Sequence, residues 1–229
     1  GTYGFVAEIL EFTHKNGKKM MAINAQAEKD AINNVINNAG KVKKGVRFKM
    51  VALDKKIPNY RTYDYIPFVN KQGRKGYMRS GKIIDVKNVT NLSKFDATVS
   101  TTLPRGYFLP KSMKPIVDHL RKQGIKVTEL KRRKKATGEV FMIEKLNIAR
   151  RKFEGHNMAT VKGKYVAKTQ TFKKGDFWID MAQPLTNLAF YMLEPQSDDG
   201  LLTWNFFDAY LKAQGVDTKT VVYPVFKYY

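Results

Sequence analysis

The hydrophobic pattern changes its period at Val46, and this change constrains the fold more than any other feature of the chain. Between Val46 and Ala52 apolar side chains occupy every second position, which is typical of a strand with one buried face. Further strand candidates, separated by turns rich in Gly and Asn, follow at residues 63–69, 81–89 and 95–101. We therefore predict a β-rich domain over residues 46–102.

Two different patterns precede this domain. Residues 3–10 form a short apolar run with Glu8 embedded in it, as in a buried strand. After a polar turn at residues 14–17, apolar and small residues recur at helical spacing as far as Gly40, a natural C-terminal stop. The sequence thus predicts a strand, a turn and a helix within residues 1–45.

The remaining domain, residues 103–229, mixes helices and strands. A strand at 105–109, a helix at 110–123 and a strand at 125–130 make a predicted β-α-β unit. The next predicted elements are a strand at 139–148, a hairpin over 158–171 that turns at 162–164, a strand at 177–180, and helices at 183–193 and 200–214. Together these patterns predict an α+β protein.

The chain carries a large positive charge. It has 42 Lys and Arg against 20 Asp and Glu, a net charge of +22 at pH 7. The basic residues cluster mostly at predicted turns, as solvated loops do, but the same charge would attract a polyanion. No apolar run reaches the roughly 20 residues that a membrane-spanning helix needs. We therefore predict no membrane span.

The sequence contains few residues of the types that bind zinc. Cysteine is absent, and the only histidines are His14, His119 and His156. A catalytic zinc site with a His-x-x-Glu pair needs a carboxylate three positions after a histidine. The residues at those positions are instead Gly17, Lys122 and Ala159. We predict no metal and no cofactor in this chain.

Acidic residues gather near the C-terminus of this otherwise basic chain. They are Glu194, Asp198, Asp199 and Asp208. Their oxygens could bind Ca²⁺ or could cap helices. Trp204 and Asn205 lie among them and could form a platform for a sugar or a peptide, or could pack in the core. These six residues are our candidate structural or binding positions.

Four segments carry a resemblance to a known family. They are residues 103–110 (LPRGYFLP), 153–156 (FEGH), 182–189 (AQPLTNLA) and 193–208 (LEPQSDDGLLTWNFFD). Together they resemble the region that follows the catalytic domain in large bacterial zinc carboxypeptidases of the funnelin type. The resemblance implies that residues 1–45 are the last strand and helix of an α/β catalytic domain. It makes residues 46–102 and 103–229 accessory domains.

The resemblance also implies a role for Glu8. In that family a Glu on a strand beside the active site is the general base for the zinc-bound water, and Glu8 is the matching position. The alternative is a carboxylate paired with a lysine. The zinc ligands would lie upstream of Gly1, so residues 1–229 would have no catalytic activity by themselves.

Two functions follow from these observations. The first is the C-terminal, non-catalytic part of a zinc metallocarboxypeptidase-like bacterial protein whose intact form hydrolyses peptides. Its partners would be the upstream catalytic domain and the peptide substrate, zinc would belong to the intact parent, and the resemblance favours a periplasmic or secreted location. The alternative is a basic module without enzymatic activity that binds nucleic acid or a cell-wall polymer, with Tyr and Phe for stacking.

Overall fold

A computed structural model describes residues 1–216 and 218–229. In these ranges the helices are α1 (Thr2–Asn38), α2 (Lys114–Lys122), α3 (Thr186–Leu193) and α4 (Asp208–Ala213). The strands are β1 (Lys43–Val51), β2 (Ile57–Val69), β3 (Lys75–Val89), β4 (Lys94–Thr102), β5 (Gly106–Leu109), β6 (Thr128–Glu129), β7 (Lys134–Ile148), β8 (Ala159–Phe172), β9 (Phe177–Asp180) and β10 (Val221–Tyr228). The predicted α+β class is confirmed. The chain divides into two compact units, residues 1–47 with 99–229, and residues 48–98.

The larger unit is built on a six-stranded sheet with the order β6-β9-β5-β10-β7-β8. Every neighbouring pair in it is antiparallel. Helix α2 connects β5 to β6, and β9 lies between these two strands and pairs with both. The predicted β-α-β unit is therefore present, with a later strand inserted between its two strands.

Both faces of this sheet bury apolar side chains. The main core joins Leu109, Ile143 and Val225 from the sheet to Leu120 of α2 and Phe190 of α3. Because successive side chains of a strand point to opposite faces, their neighbours form a second cluster. In that cluster the ring of Phe108 stacks on Phe172 with centroids 4.3 Å apart. Both faces of the sheet therefore carry buried apolar side chains over its central strands.

The predicted strand at residues 3–10 is wrong, because these residues begin the 37-residue helix α1. The polar turn predicted at 14–17 is also absent, and the helix continues to the predicted stop at Gly40, whose φ is +77°. A short apolar run fits a strand and a helix equally well by its pattern alone, and no proline interrupts residues 2–38. Val35 is buried in the core, whereas residues 2–15 and 18–30 are exposed.

Replacing Gly17 by Ala should stabilise α1. Glycine inside a helix costs about 0.5–1 kcal/mol relative to alanine, and an added Cβ at Gly17 meets no atom within 4 Å. We expect Gly17→Ala to raise the helical signal in far-ultraviolet circular dichroism and to delay its loss on heating. A lower helical signal in the variant would contradict the helix at this position.

The hairpin predicted over 158–171 is wrong, because β8 runs straight through the expected turn at 162–164. Gly163 pairs with Ile143 across the β7–β8 ladder, beside an irregularity in the register of β7. A Cβ on Gly163 would lie 2.0 Å from the carbonyl oxygen of Met142. This glycine therefore marks a close approach of two backbones rather than a turn.

The second predicted C-terminal helix, 200–214, is shortened to α4, and residues 201–207 form turns. Asn205 has a φ of +69°, which a helix excludes. The hydroxyl of Thr203 donates to the carbonyl oxygen of Ser197 at 2.7 Å and holds this turn. Residues 197–199 do not cap α4, since its N-cap is Phe207 and has no side-chain cap.

The smaller unit consists of strands β2 and β3 together with parts of β1 and β4. Strands β2 and β3 form a long antiparallel hairpin from Ile57↔Val89 to Val69↔Lys75. Strand β1 pairs with β4 in a separate two-stranded sheet. The three strand candidates at 63–69, 81–89 and 95–101 all fall within β2, β3 and β4.

Candidate functional site

A buried ion pair lies at the centre of the larger unit. Glu194 follows α3 directly, and Lys227 projects from β10 into the same space. The Nζ atom of Lys227 is 2.8 Å from Oε1 of Glu194, and each side chain is only 1% exposed. Buried charges of this kind persist only when their remaining hydrogen-bonding capacity is also satisfied.

Tyrosines and threonines supply the additional hydrogen bonds. The hydroxyls of Tyr107 and Tyr165 donate to the two carboxylate oxygens of Glu194, each at 2.5 Å. Lys227 donates to Oγ1 of Thr101 at 2.7 Å and to the carbonyl oxygen of Thr102 at 3.1 Å. Its ammonium group also lies 4.2 Å from the centre of the Tyr165 ring. We call Glu194, Lys227, Tyr107, Tyr165 and Thr101 the buried polar network.

Burial determines the protonation of this network. It raises the pKa of Tyr107 and Tyr165 well above the usual value, and the charge of Glu194 raises both further. It lowers the pKa of Lys227, while the charge of Glu194 opposes that shift. The tyrosines therefore remain neutral donors, and the network is suited to joining β5, β8, β10 and the end of α3 rather than to proton transfer.

A second cluster lies at the surface of the same unit. The ring of His156 meets the ring of Trp204 edge-on at 5.3 Å, and Nδ1 of His156 is 3.2 Å from Oδ1 of Asn205. The amide of Asn205 donates to the carbonyl oxygen of Asn157 at 3.0 Å, and Nε1 of Trp204 donates to Asp199 at 2.6 Å. The segment at 153–156 and the turn at 204–205 are thus held together.

The six candidate positions are divided between these two places. Glu194 is in the buried network, whereas Asp199, Trp204 and Asn205 belong to the surface cluster. Asp208 begins α4, where burial raises its pKa and the Asn205 hydrogen bond and the nearby charge of His156 oppose that rise. Asp198 is exposed, and its backbone N–H donates to the carbonyl oxygen of Val46. The structure therefore does not gather the four acids into one site.

The metal-binding interpretations find no support in the geometry. Across residues 1–216 and 218–229, no group of three or more His, Cys, Asp or Glu side chains is placed to hold a metal ion. His14 is exposed on α1, and His119 packs against Phe206 at 4.5 Å between ring centres. These residues do not fit zinc, and the acidic residues do not fit calcium.

Glu8 does not occupy the environment expected of it. It is exposed on α1 rather than on a buried strand, so the apolar surroundings that favoured a general base are absent. The nearby apolar residues Phe5 and Ile9 are also exposed. Burial therefore does not support a general-base role for Glu8, which stays a prediction that depends on an upstream zinc site.

Sequence reasoning missed most of the buried polar network. Lys227 is not among the residues singled out from the sequence, although a lone lysine inside the run from Val221 to Tyr228 is an unusual residue for a buried strand. Tyr165 was assigned to a hairpin that does not exist. The one signal that could have revealed the network was this lysine, which needs a buried acid as its partner.

Removing the buried hydroxyl of Tyr223 should alter the alkaline stability of the protein. Burial raises the pKa of Tyr223 well above its usual value, and its hydroxyl has no hydrogen-bond partner among the described residues. An unfolded tyrosine loses its proton near pH 10, so the native state then binds more protons and the free energy of unfolding falls as pH rises further. Above pH 10 we expect the free energy of unfolding of Tyr223→Phe to fall by about 1.4 kcal/mol per pH unit less than that of the unsubstituted protein. Denaturant unfolding at several pH values will measure both slopes. Equal slopes for the two proteins would contradict this.

Comparisons with known proteins found no relative of this chain. The chain matches no protein-family model, no curated protein and no solved structure. No helix within the described ranges is both long enough and apolar enough to cross a membrane.

Proposed function

We propose that this chain is the C-terminal, non-catalytic part of a zinc metallocarboxypeptidase-like protein whose intact form hydrolyses peptides. One observation carries the proposal: three of the four segments that resemble this family are distant in sequence but meet in the fold. Tyr107 of the first segment bonds Glu194 of the last, and His156 of the second contacts Trp204 and Asn205. Residues of a shared signature that hold one fold together are expected to converge in this way.

The proposed role is structural support of a catalytic domain. The buried polar network and the surface cluster fix the larger unit and contain no group positioned to attack a peptide bond. Helix α1 offers an extended contact surface, because Phe5, Ile9, Leu10 and Phe12 are exposed on it. Exposed apolar side chains of this number are typical of an interaction surface. We propose the upstream catalytic domain as its partner.

The test begins with the reading frame upstream of the codon for Thr2. We expect it to encode a His-x-x-Glu pair and a later His, the ligands that this chain lacks. The complete gene product should release C-terminal residues from peptides and should lose this activity to a chelator. The purified chain of residues 1–229 should release none.

Two results would overturn the proposal. One is a start codon immediately upstream of Thr2, which would leave no room for a catalytic domain. The other is a complete product that cleaves no peptide, or whose peptide hydrolysis is insensitive to chelation.

A further inference from the structure

The β2–β3 hairpin presents two faces of different chemistry. Side chains alternate between the faces of a strand, so the register assigns each residue to one face. The pair Tyr65↔Arg79 lies on the same face as Tyr63, because the Arg79 guanidinium sits 4.4 Å from the centre of the Tyr63 ring. Arg61 and Asp85, which form an ion pair at 3.0 Å, lie on this face too. We call it the tyrosine face.

The tyrosine face combines aromatic rings with cations. Besides Tyr63 and Tyr65 it carries Tyr77, whose side chain is 75% exposed, and the register adds Lys75 and Lys87. Tyr63 and Tyr65 are two residues apart on one strand, which separates them by about 6.6 Å. The same face also carries Val69 and Ile83, which are 62% and 59% exposed, so rings, basic groups and apolar side chains share an open surface.

The opposite face is different. It carries Tyr60, Ile66, Phe68, Met78 and Val86, all of which are exposed. Phe68 lies over Gly76, where an added Cβ would be 3.0 Å from its ring. We call this the apolar face, and its chemistry favours a protein partner rather than an anion.

The charge of the smaller unit indicates which kind of partner the tyrosine face binds. Residues 48–98 contain eleven Lys and Arg against four Asp and Glu, a net charge of +7 in this small unit. A basic surface with exposed rings matches a chain that has both phosphates and flat bases. Bases paired within a duplex are stacked on one another, so only unpaired bases can stack on these rings.

We infer that the tyrosine face binds single-stranded nucleic acid without sequence preference. Lys75, Lys87 and Arg79 contact phosphates, and Tyr65 and Tyr77 stack with bases, while the ring of Tyr63 holds the Arg79 guanidinium in place. The inference does not depend on the carboxypeptidase proposal, because it concerns the smaller unit and its test uses no peptide substrate.

The test is fluorescence anisotropy of a labelled oligothymidylate with the whole chain, and two tyrosines on one strand make a matched pair. Tyr65 and Tyr60 both lie on β2 and are both 51% exposed, but they lie on opposite faces. We expect Tyr65→Ser to weaken binding about tenfold and Tyr60→Ser to leave it unchanged. Circular dichroism and thermal unfolding of both variants will check that each is folded.

The salt dependence of the affinity measures the phosphate contacts separately from base stacking. Between 50 and 200 mM salt the affinity should fall steeply, and Lys75→Gln should lower the slope of log affinity against log salt by about 0.7. Tyr65→Ser should leave that slope unchanged, because a neutral ring releases no counterions. An excess of inorganic polyphosphate should compete less well than unlabelled oligothymidylate.

Several results would overturn the inference. No binding at 50 mM salt would remove the site altogether. Equal losses for Tyr60→Ser and Tyr65→Ser would remove the tyrosine face as its location. Equal competition by polyphosphate, with no effect of Tyr65→Ser, would leave a surface that binds anions without stacking.

Discussion

Replacing Glu194 by Leu should destabilise the larger unit by about 3–5 kcal/mol, because the variant leaves the Lys227 ammonium buried without its counter-charge. The hydroxyls of Tyr107 and Tyr165 lose their acceptor at the same time. For a unit of this size such a loss lowers Tm by about 10 °C. Thermal and denaturant unfolding will measure it.

A double variant and an exposed pair provide the controls. Glu194→Leu combined with Lys227→Met removes both charges, so we expect it to be less destabilised than the sum of the single variants by about 3 kcal/mol. Lys114→Met breaks the exposed pair with Asp118 on α2 and should cost less than about 0.5 kcal/mol. If Glu194→Leu costs no more than Lys114→Met, the buried network does not stabilise the fold.

Replacing Gly163 by Ala should cost about 2–3 kcal/mol, because the new Cβ would lie 2.0 Å from a backbone oxygen and 2.9 Å from the Phe141 ring. Backbone atoms of paired strands cannot move apart without breaking ladder hydrogen bonds. We expect a large fall in the denaturant midpoint and faster amide exchange in β7 and β8.

Gly17→Ala is the matched substitution, since the same methyl group is added where there is space for it. If both glycine variants were equally stable, the close approach of β8 to β7 would be wrong. The hairpin predicted from the sequence at residues 162–164 would then be the better description.

The sequence predicted secondary structure best where the hydrophobic pattern matches the burial of the side chains. Alternation from Val46 predicted β1, because a half-buried strand must expose one face. The strand predicted at residues 3–10 was wrong because a short apolar run fits a strand or a helix. The sequence also did not show that these side chains would be exposed. At Gly163 the sequence showed a glycine between two lysines, which resembles a turn until the opposing backbone of Met142 is known.

The candidate site was harder to predict than the fold. Glu194 was named for its place in an acidic cluster, yet its real partner is 33 positions away on β10, a strand not predicted at all. The sequence places Asn205 beside acidic residues, but its positive φ and its hydrogen bond with His156 depend on residues 153–156 folding against it. For both Glu194 and Asn205, contacts with residues distant in sequence determine the environment of the side chain, and residue type alone does not reveal it.

The exposure of α1 gives its two ends different stabilities. Its C-terminal turn is held by Val35 in the core, whereas most of residues 2–30 share no buried contact with the sheet. Helix formation there depends on local propensity, as in an isolated peptide, and such segments open without global unfolding. This helix can therefore fray from its first residue to about residue 30, and be cut by a protease there, while the six-stranded sheet remains folded.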